Sequence, residues 1–211
     1  MNNQQEIVLP SIPANKIKEL DCLMERLQHT YEKMNQAYAR VAGYYERSCE
    51  GCDGNCCTSY FHHHTLAECV YLVRGLRTLG KERQKEIGDQ ARDFVRERER
   101  LKQEAREIKL MCPINENGLC GLYDFRPMIC RLHGVPFSYR RPDMVVIRGD
   151  GCPKLAPLGR NDPARAEVDR TPLYRDMAML EQRIRSETGF SGRVKVMIAD
   201  ILASNWAVDP T

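Results

Sequence analysis

The chain has 211 residues, 42% of them hydrophobic and 29% charged, with a formal net charge of +3. This composition predicts a folded protein with a core of ordinary size and excludes a disordered chain. So small a charge gives no electrostatic footprint for nucleic acid or an anionic membrane, and no apolar run reaches the about 18 residues of a membrane span.

The abnormal feature is ten cysteines, nine of them between Cys49 and Cys152. The first residues lack a basic stretch followed by a long apolar one, so no secretory leader is expected. The expected compartment is the cytoplasm. There thiols stay reduced, and clustered cysteines point to metal rather than disulfides.

In chain order, residues 1–13 are polar, carry Pro10 and Pro13, and read as a loose lead-in. Residues 14–211 read as a single helical metal-binding domain. From Ile17 an apolar seam runs through Leu20, Met24, Leu27, Tyr31, Met34, Tyr38, Val41 and Tyr45, in alternating steps of three and four. It predicts a long amphipathic helix over 15–46, with two uses open for the seam: docking on the chain's own core, or pairing with a second copy in a homodimer.

The spacing then predicts a helix over 66–79, with Thr65 and Glu68 at capping-box positions and Gly80 as its stop. A charged helix follows over 81–110, with ion pairs Asp89–Arg92, Asp93–Arg96 and Glu97–Arg100 at i,i+3. Arg98 interrupts its apolar stripe. Pro127 is placed at the first position of a short helix carrying Cys130 and ending near Gly134. Residues 135–148 predict a β-hairpin, with Met144–Ile147 the better strand, and 153–170 read as loop. The last predicted helices cover 172–187, with Thr171 as N-cap and Gly189 as stop, and 192–204. The expected fold class is mainly α: a helical domain with cysteine-rich metal-binding loops and one small β-hairpin.

The chemistry lies in eight cysteines. The first loop holds Cys49, Cys52, Cys56 and Cys57. Two residues between Cys49 and Cys52 let one turn aim both sulfurs at one ion. Cys56 and Cys57 are adjacent and leave the backbone in different directions, which argues against a single mononuclear site. The second segment holds Cys112, Cys120 and Cys130, and Asn117-Gly118 predicts a turn bringing Cys112 and Cys120 together. Cys152 follows in a turn-rich Gly-Asp-Gly-Cys-Pro. Eight thiols exceed the four of one structural zinc or one four-iron cluster, so a polynuclear centre or two sites are expected. Ligand softness admits an iron–sulfur cluster, with the 4Fe-4S type favoured, or Zn.

Other residues read differently. Cys22 and Cys69 are expected to be ordinary thiols. His62, His63 and His64 cannot all face one ion from a regular element, so surface polarity is their default, with one left as a candidate ligand. His133 follows Cys130 by three and reads as a capping or surface residue, or a further ligand. Arg126 and Arg131 either pair with acids such as Asp124 or offset the charge of a thiolate cluster. Neither a phosphate-binding glycine loop nor a His-Glu-x-x-His zinc motif is present.

The first motif, Cys-x2-Cys-x3-Cys-Cys, and the second, formed by Cys120, Tyr123, Arg126, Pro127, Cys130 and Arg131, together resemble the cysteine-cluster proteins of the YkgJ family. The first motif departs by one residue from the commoner spacing before the cysteine pair. The resemblance covers about residues 49–133 and implies chelation of zinc or iron. A similar pattern occurs in flagellin lysine methylases, which are linked to an iron–sulfur cluster and S-adenosylmethionine. The expected function is therefore a cytoplasmic cysteine-cluster metalloprotein whose reaction the sequence does not name. The alternatives are a cluster-dependent protein-modifying enzyme of methyltransferase type, or a zinc-stapled module that engages a protein partner.

Overall fold

The structure is a computed structural model, which describes residues 17–46, 56–152 and 165–204. Six helices carry most of these residues: α1 Ile17–Tyr44, α2 Leu66–Arg77, α3 Lys81–Gln103, α4 Met128–Leu132, α5 Thr171–Thr188 and α6 Ile198–Ala203. Five short strands complete them: β1 Asn115–Glu116, β2 Leu119–Cys120, β3 Phe137–Arg140, β4 Val146–Gly149 and β5 Val168–Asp169.

Helix α1 forms where the alternating seam predicts it, and the seam is used within the chain. Leu20, Met24, Leu27, Tyr31, Met34 and Val41 are all buried. They pack towards α5 and α4, where Leu173, Met177, Leu180 and Ile184 supply the facing stripe of α5. These positions of the seam are taken up by the chain's own core.

Helix α2 is the central element. Ten of its twelve residues are buried, which is why its sequence is apolar on every side. Its start is fixed as the spacing requires: Thr65 Oγ1 accepts the Glu68 N–H at 3.3 Å and donates to the Glu68 carboxylate at 2.6 Å. Gly75 faces Phe125 so closely that a Cβ there would collide with the ring.

Helix α3 makes all three i,i+3 pairs expected of it. It ends at Gln103 rather than near 110. Ala105 takes a left-handed conformation (φ 52°), and the Arg106 N–H returns to the Leu101 carbonyl at 2.9 Å. That closes the helix without a glycine. Arg98 interrupts the apolar stripe because its guanidinium meets Asp200 of α6 at 2.8 Å; α6 packs on α3 at this point.

The hairpin β3–β4 forms within the expected stretch, although its second strand is Val146–Gly149, two residues later than the expected Met144–Ile147. Two features depart from the sequence reading. β5 joins β3 in parallel, giving a three-stranded sheet of order β4-β3-β5 where a loop was expected. β1 and β2 form a second small hairpin around Asn117 (φ 52°) and Gly118 (φ 90°). The paired positive φ angles are those of a tight two-residue hairpin turn.

At the C-terminal end, Gly189 stops α5 in the left-handed conformation (φ 70°), as expected. The N-cap is Arg170 and Thr171 opens the helix, one residue from the prediction. The last helix is shorter than 192–204. Val196 is extended and pairs with His63 through two backbone bonds of 2.6 and 3.0 Å, so only Ile198–Ala203 is helical. No helix among the described residues is long and apolar enough to cross a membrane.

Candidate metal centre

Four short segments gather around one cavity of 910 Å³. The turn Cys56–Thr58 brings Cys56 and Cys57, the loop before β1 brings Cys112, β2 brings Cys120, and α4 brings Cys130. The two distant parts of the sequence are joined by the backbone: the Cys112 N–H donates to the Cys57 carbonyl at 3.0 Å. The β1–β2 hairpin then turns the chain back, pairing Asn115 with Cys120. This is the turn predicted at Asn117-Gly118, and it sets Cys120 and Cys112 in the same wall.

The thiols sense one another. Burial pushes Cys112 up to about 12, and Cys57 and Cys120 push it the same way. Burial also raises Cys130 well above an ordinary thiol, with Cys112, Cys120 and Cys57 adding to the effect. Cys120 is raised by burial and by Cys57, while Arg126 and Arg131 oppose the rise. Cys57, Cys112, Cys120 and Cys130 thus form one electrostatic group with two guanidinium ions beside it. Cys69, Cys112, Cys120, Cys130 and Cys152 are all thiols outside any disulfide.

Arg131 is only 5% exposed. Its Nε donates to the Arg126 carbonyl at 2.7 Å, its Nη1 to Asn35 Oδ1 at 3.2 Å, and its Nη2 to the Asp124 carbonyl. The guanidinium lies 4.1 Å over the Tyr31 ring. Of the two roles open for it, pairing with the Asp124 side chain is not made. Among the described residues no carboxylate comes within ion-pair distance, and burial lowers the Arg131 pKa. Arg126 lies 3.5 Å over the exposed Tyr123 ring and donates from Nε to the Tyr123 carbonyl at 2.9 Å. The cavity wall among the described residues therefore holds two cations and no carboxylate.

His63 is the residue that sequence reasoning placed wrongly. It is 3% exposed rather than at the surface, because its backbone is clamped to Val196. It lines the cavity, and its Nδ1 lies 4.0 Å from Glu68 Oε1 without a hydrogen bond. Burial lowers its pKa to about 4. The only sequence signal was its place between an apolar phenylalanine and the α2 cap. His133 also lines the wall, 4.8 Å from the Phe61 ring. Cys69 is buried within α2, as an ordinary core thiol would be, and Cys22 is exposed on α1.

Cys49 and Cys52 lie outside the described residues. Cys152 follows β4, donates its N–H to the Gly134 carbonyl at 2.8 Å, and is not part of the cavity wall. Among the described residues, no three histidine, cysteine or carboxylate groups converge closely enough to hold a metal ion.

No protein-family model, no curated protein and no solved structure matches the chain.

Proposed function

We propose that the chain is a thiolate metalloprotein of a reducing compartment, the cytoplasm, in which Cys57, Cys112, Cys120 and Cys130 hold an iron–sulfur cluster or zinc. One observation carries this reading: four cysteines from separate segments line one cavity next to a buried arginine that has no carboxylate within ion-pair distance among the described residues. Burying an unpaired guanidinium is costly, and a negative neighbour removes the cost. Four thiolates around a divalent ion, or around an iron–sulfur cube, leave such a net negative charge.

The donor set suits both metals, since soft thiolates select zinc and iron–sulfur clusters alike. A bound cluster supplies electron transfer or redox sensing, and a bound zinc supplies a structural staple. Arg126 and Arg131 offset the charge of the thiolates, and the Cys57–Cys112 backbone bond holds the two halves of the ligand set together. The resemblance to the YkgJ family agrees with this reading: Cys120, Arg126, Cys130 and Arg131, which carry its second motif, line the cavity. Cys56 is a further donor on the same wall, and Cys49 and Cys52 complete the supply of thiols for a polynuclear centre.

The test is metal and acid-labile sulfide analysis of anaerobically purified protein. The expected result is at least about one metal per chain, falling to background when Cys112 and Cys130 are both replaced by serine. A visible absorption band distinguishes iron–sulfur from zinc. Protein that carries neither metal, before and after reconstitution, overturns the proposal.

A further inference from the structure

A four-thiol centre is small. Metal–sulfur bonds are about 2.3 Å long, so its ligands close tightly around it. The cavity that the cysteines share measures 910 Å³, near the upper end of the range for sites that enclose small organic molecules. The lining also includes the apolar side chains of Phe61, Phe94, Ile114, Met197 and Ile198. Phe94 and Met197 pack together in a small cluster apart from the main core.

The charged groups are one-sided. Arg126 and Arg131 line the cavity, and no aspartate or glutamate among the described residues does. Arg131 spends its donors on two backbone carbonyls and Asn35. Arg126 does not: Nε and Nη1 reach the Tyr123 and Cys130 carbonyls, but Nη2 makes no hydrogen bond among the described residues. Arg126 thus lines the cavity with one charged donor uncommitted among the described residues, its guanidinium stacked on the Tyr123 ring. Deeper in, His63 also lines the cavity, with its Nδ1 turned towards Glu68 at 4.0 Å.

We infer that the cavity binds a small organic monoanion, a carboxylate on an aromatic or branched apolar body, with the carboxylate on Arg126 and the body between Phe61, Phe94 and Met197. An arginine fork recognises a carboxylate through charge-assisted bonds, and the aromatic wall takes the rest of the molecule. The inference stands on the arginine and the apolar wall, not on the presence of metal.

The test uses 3-phenylpropionate and its uncharged counterpart 3-phenylpropan-1-ol as calorimetric probes of the full-length, anaerobically purified protein. The carboxylate is expected to bind at least about tenfold more tightly than the alcohol. Arg126→Gln is expected to bring the two to parity. Phe94→Ala is expected to weaken both, with circular dichroism and thermal melting showing that each variant is folded. Failure of both probes to bind overturns the inference, as does equal binding of the two by wild type, or a carboxylate preference that survives in folded Arg126→Gln. Iron and zinc are measured in the same samples. Carboxylate binding without metal overturns the metalloprotein reading and leaves this one standing; metal without carboxylate binding does the reverse.

Discussion

The Glu68 carboxylate accepts the backbone N–H of Met128 at 2.8 Å, sixty residues along the chain. One buried acid on α2 thereby anchors the first turn of the helix that carries Cys130. Its other oxygen takes the Thr65 hydroxyl, so the acid bonded to the N-cap side chain of α2 also positions the cavity wall.

Glu68→Ala strands the Met128 N–H and the Thr65 hydroxyl in the interior, at a cost of about 3 kcal/mol. Glu68→Gln keeps an acceptor for Met128 and is expected to recover most of that loss. Urea unfolding of the three proteins checks this. If the alanine variant unfolds at the wild-type midpoint, the anchor has no energetic weight.

His63 makes stability sensitive to acid. Its pKa is about 4 in the folded chain, through burial first and the neighbouring His64 and His62 second, against 6.5 for an ordinary histidine. Between these values the unfolded chain takes up a proton that the folded chain refuses. Stability is therefore intact above about pH 6.5 and falls as the pH drops towards 4, by about 2 kcal/mol at pH 5. Glu68 acts in the opposite sense: burial raises its pKa, so its contribution weakens as pH rises above the ordinary carboxylate value. His63→Gln should flatten the fall between pH 7 and pH 5 relative to wild type. Parallel profiles for the two proteins would show that His63 is not its source.

Gly75 permits the close approach of α2 and the turn Tyr123–Phe125. Gly75→Ala should cost about 2 kcal/mol by driving Phe125 out of its position against Tyr71. Adding Phe125→Leu should restore part of the loss. A Gly75→Ala variant as stable as wild type would mean that Phe125 yields without penalty.

The cysteine variants separate wall from bystander. Cys112→Ser and Cys130→Ser are expected to lose metal and to melt at lower temperature, since ligands from distant segments couple binding to folding. Cys22→Ser, exposed on α1, should change neither, and Cys152→Ser should keep the metal of this cavity. A chelator that strips the metal should lower the wild-type melting temperature towards that of Cys130→Ser. Equal metal content in all four variants would sink the assignment of the ligands.

The sequence carried the helices well because each buries a stripe that must recur at helical spacing; Leu27 and Met34 on α1 and Leu180 and Ile184 on α5 are examples. It carried the Asn117-Gly118 turn for a local reason, the two positive φ angles. What it did not carry depends on partners far along the chain. Arg98 sits in an apolar stripe because Asp200 waits opposite, and His63 is buried because Val196 pairs with it. β5 is two residues long and exists through its pairing with β3. The cavity itself was legible only as a gathering of cysteines; of the two roles open for Arg131, an ion pair with an acid such as Asp124 is not made, and its donors go to the Arg126 and Asp124 carbonyls and to Asn35.

The antiparallel bridge between His63 and Val196 has a consequence for the order of events during synthesis. The wall of the cavity runs from Asn35 to Ala199, so it needs both early and late parts of the chain. A nascent chain that has only just exposed Cys130 already contains most of the thiols, yet lacks Met197 and the strand that buries His63. Translation at about 5–20 residues per second leaves those thiols waiting several seconds beside an unfinished wall. The cavity is thus a late product of the ribosome, completed only when the last described helix has emerged.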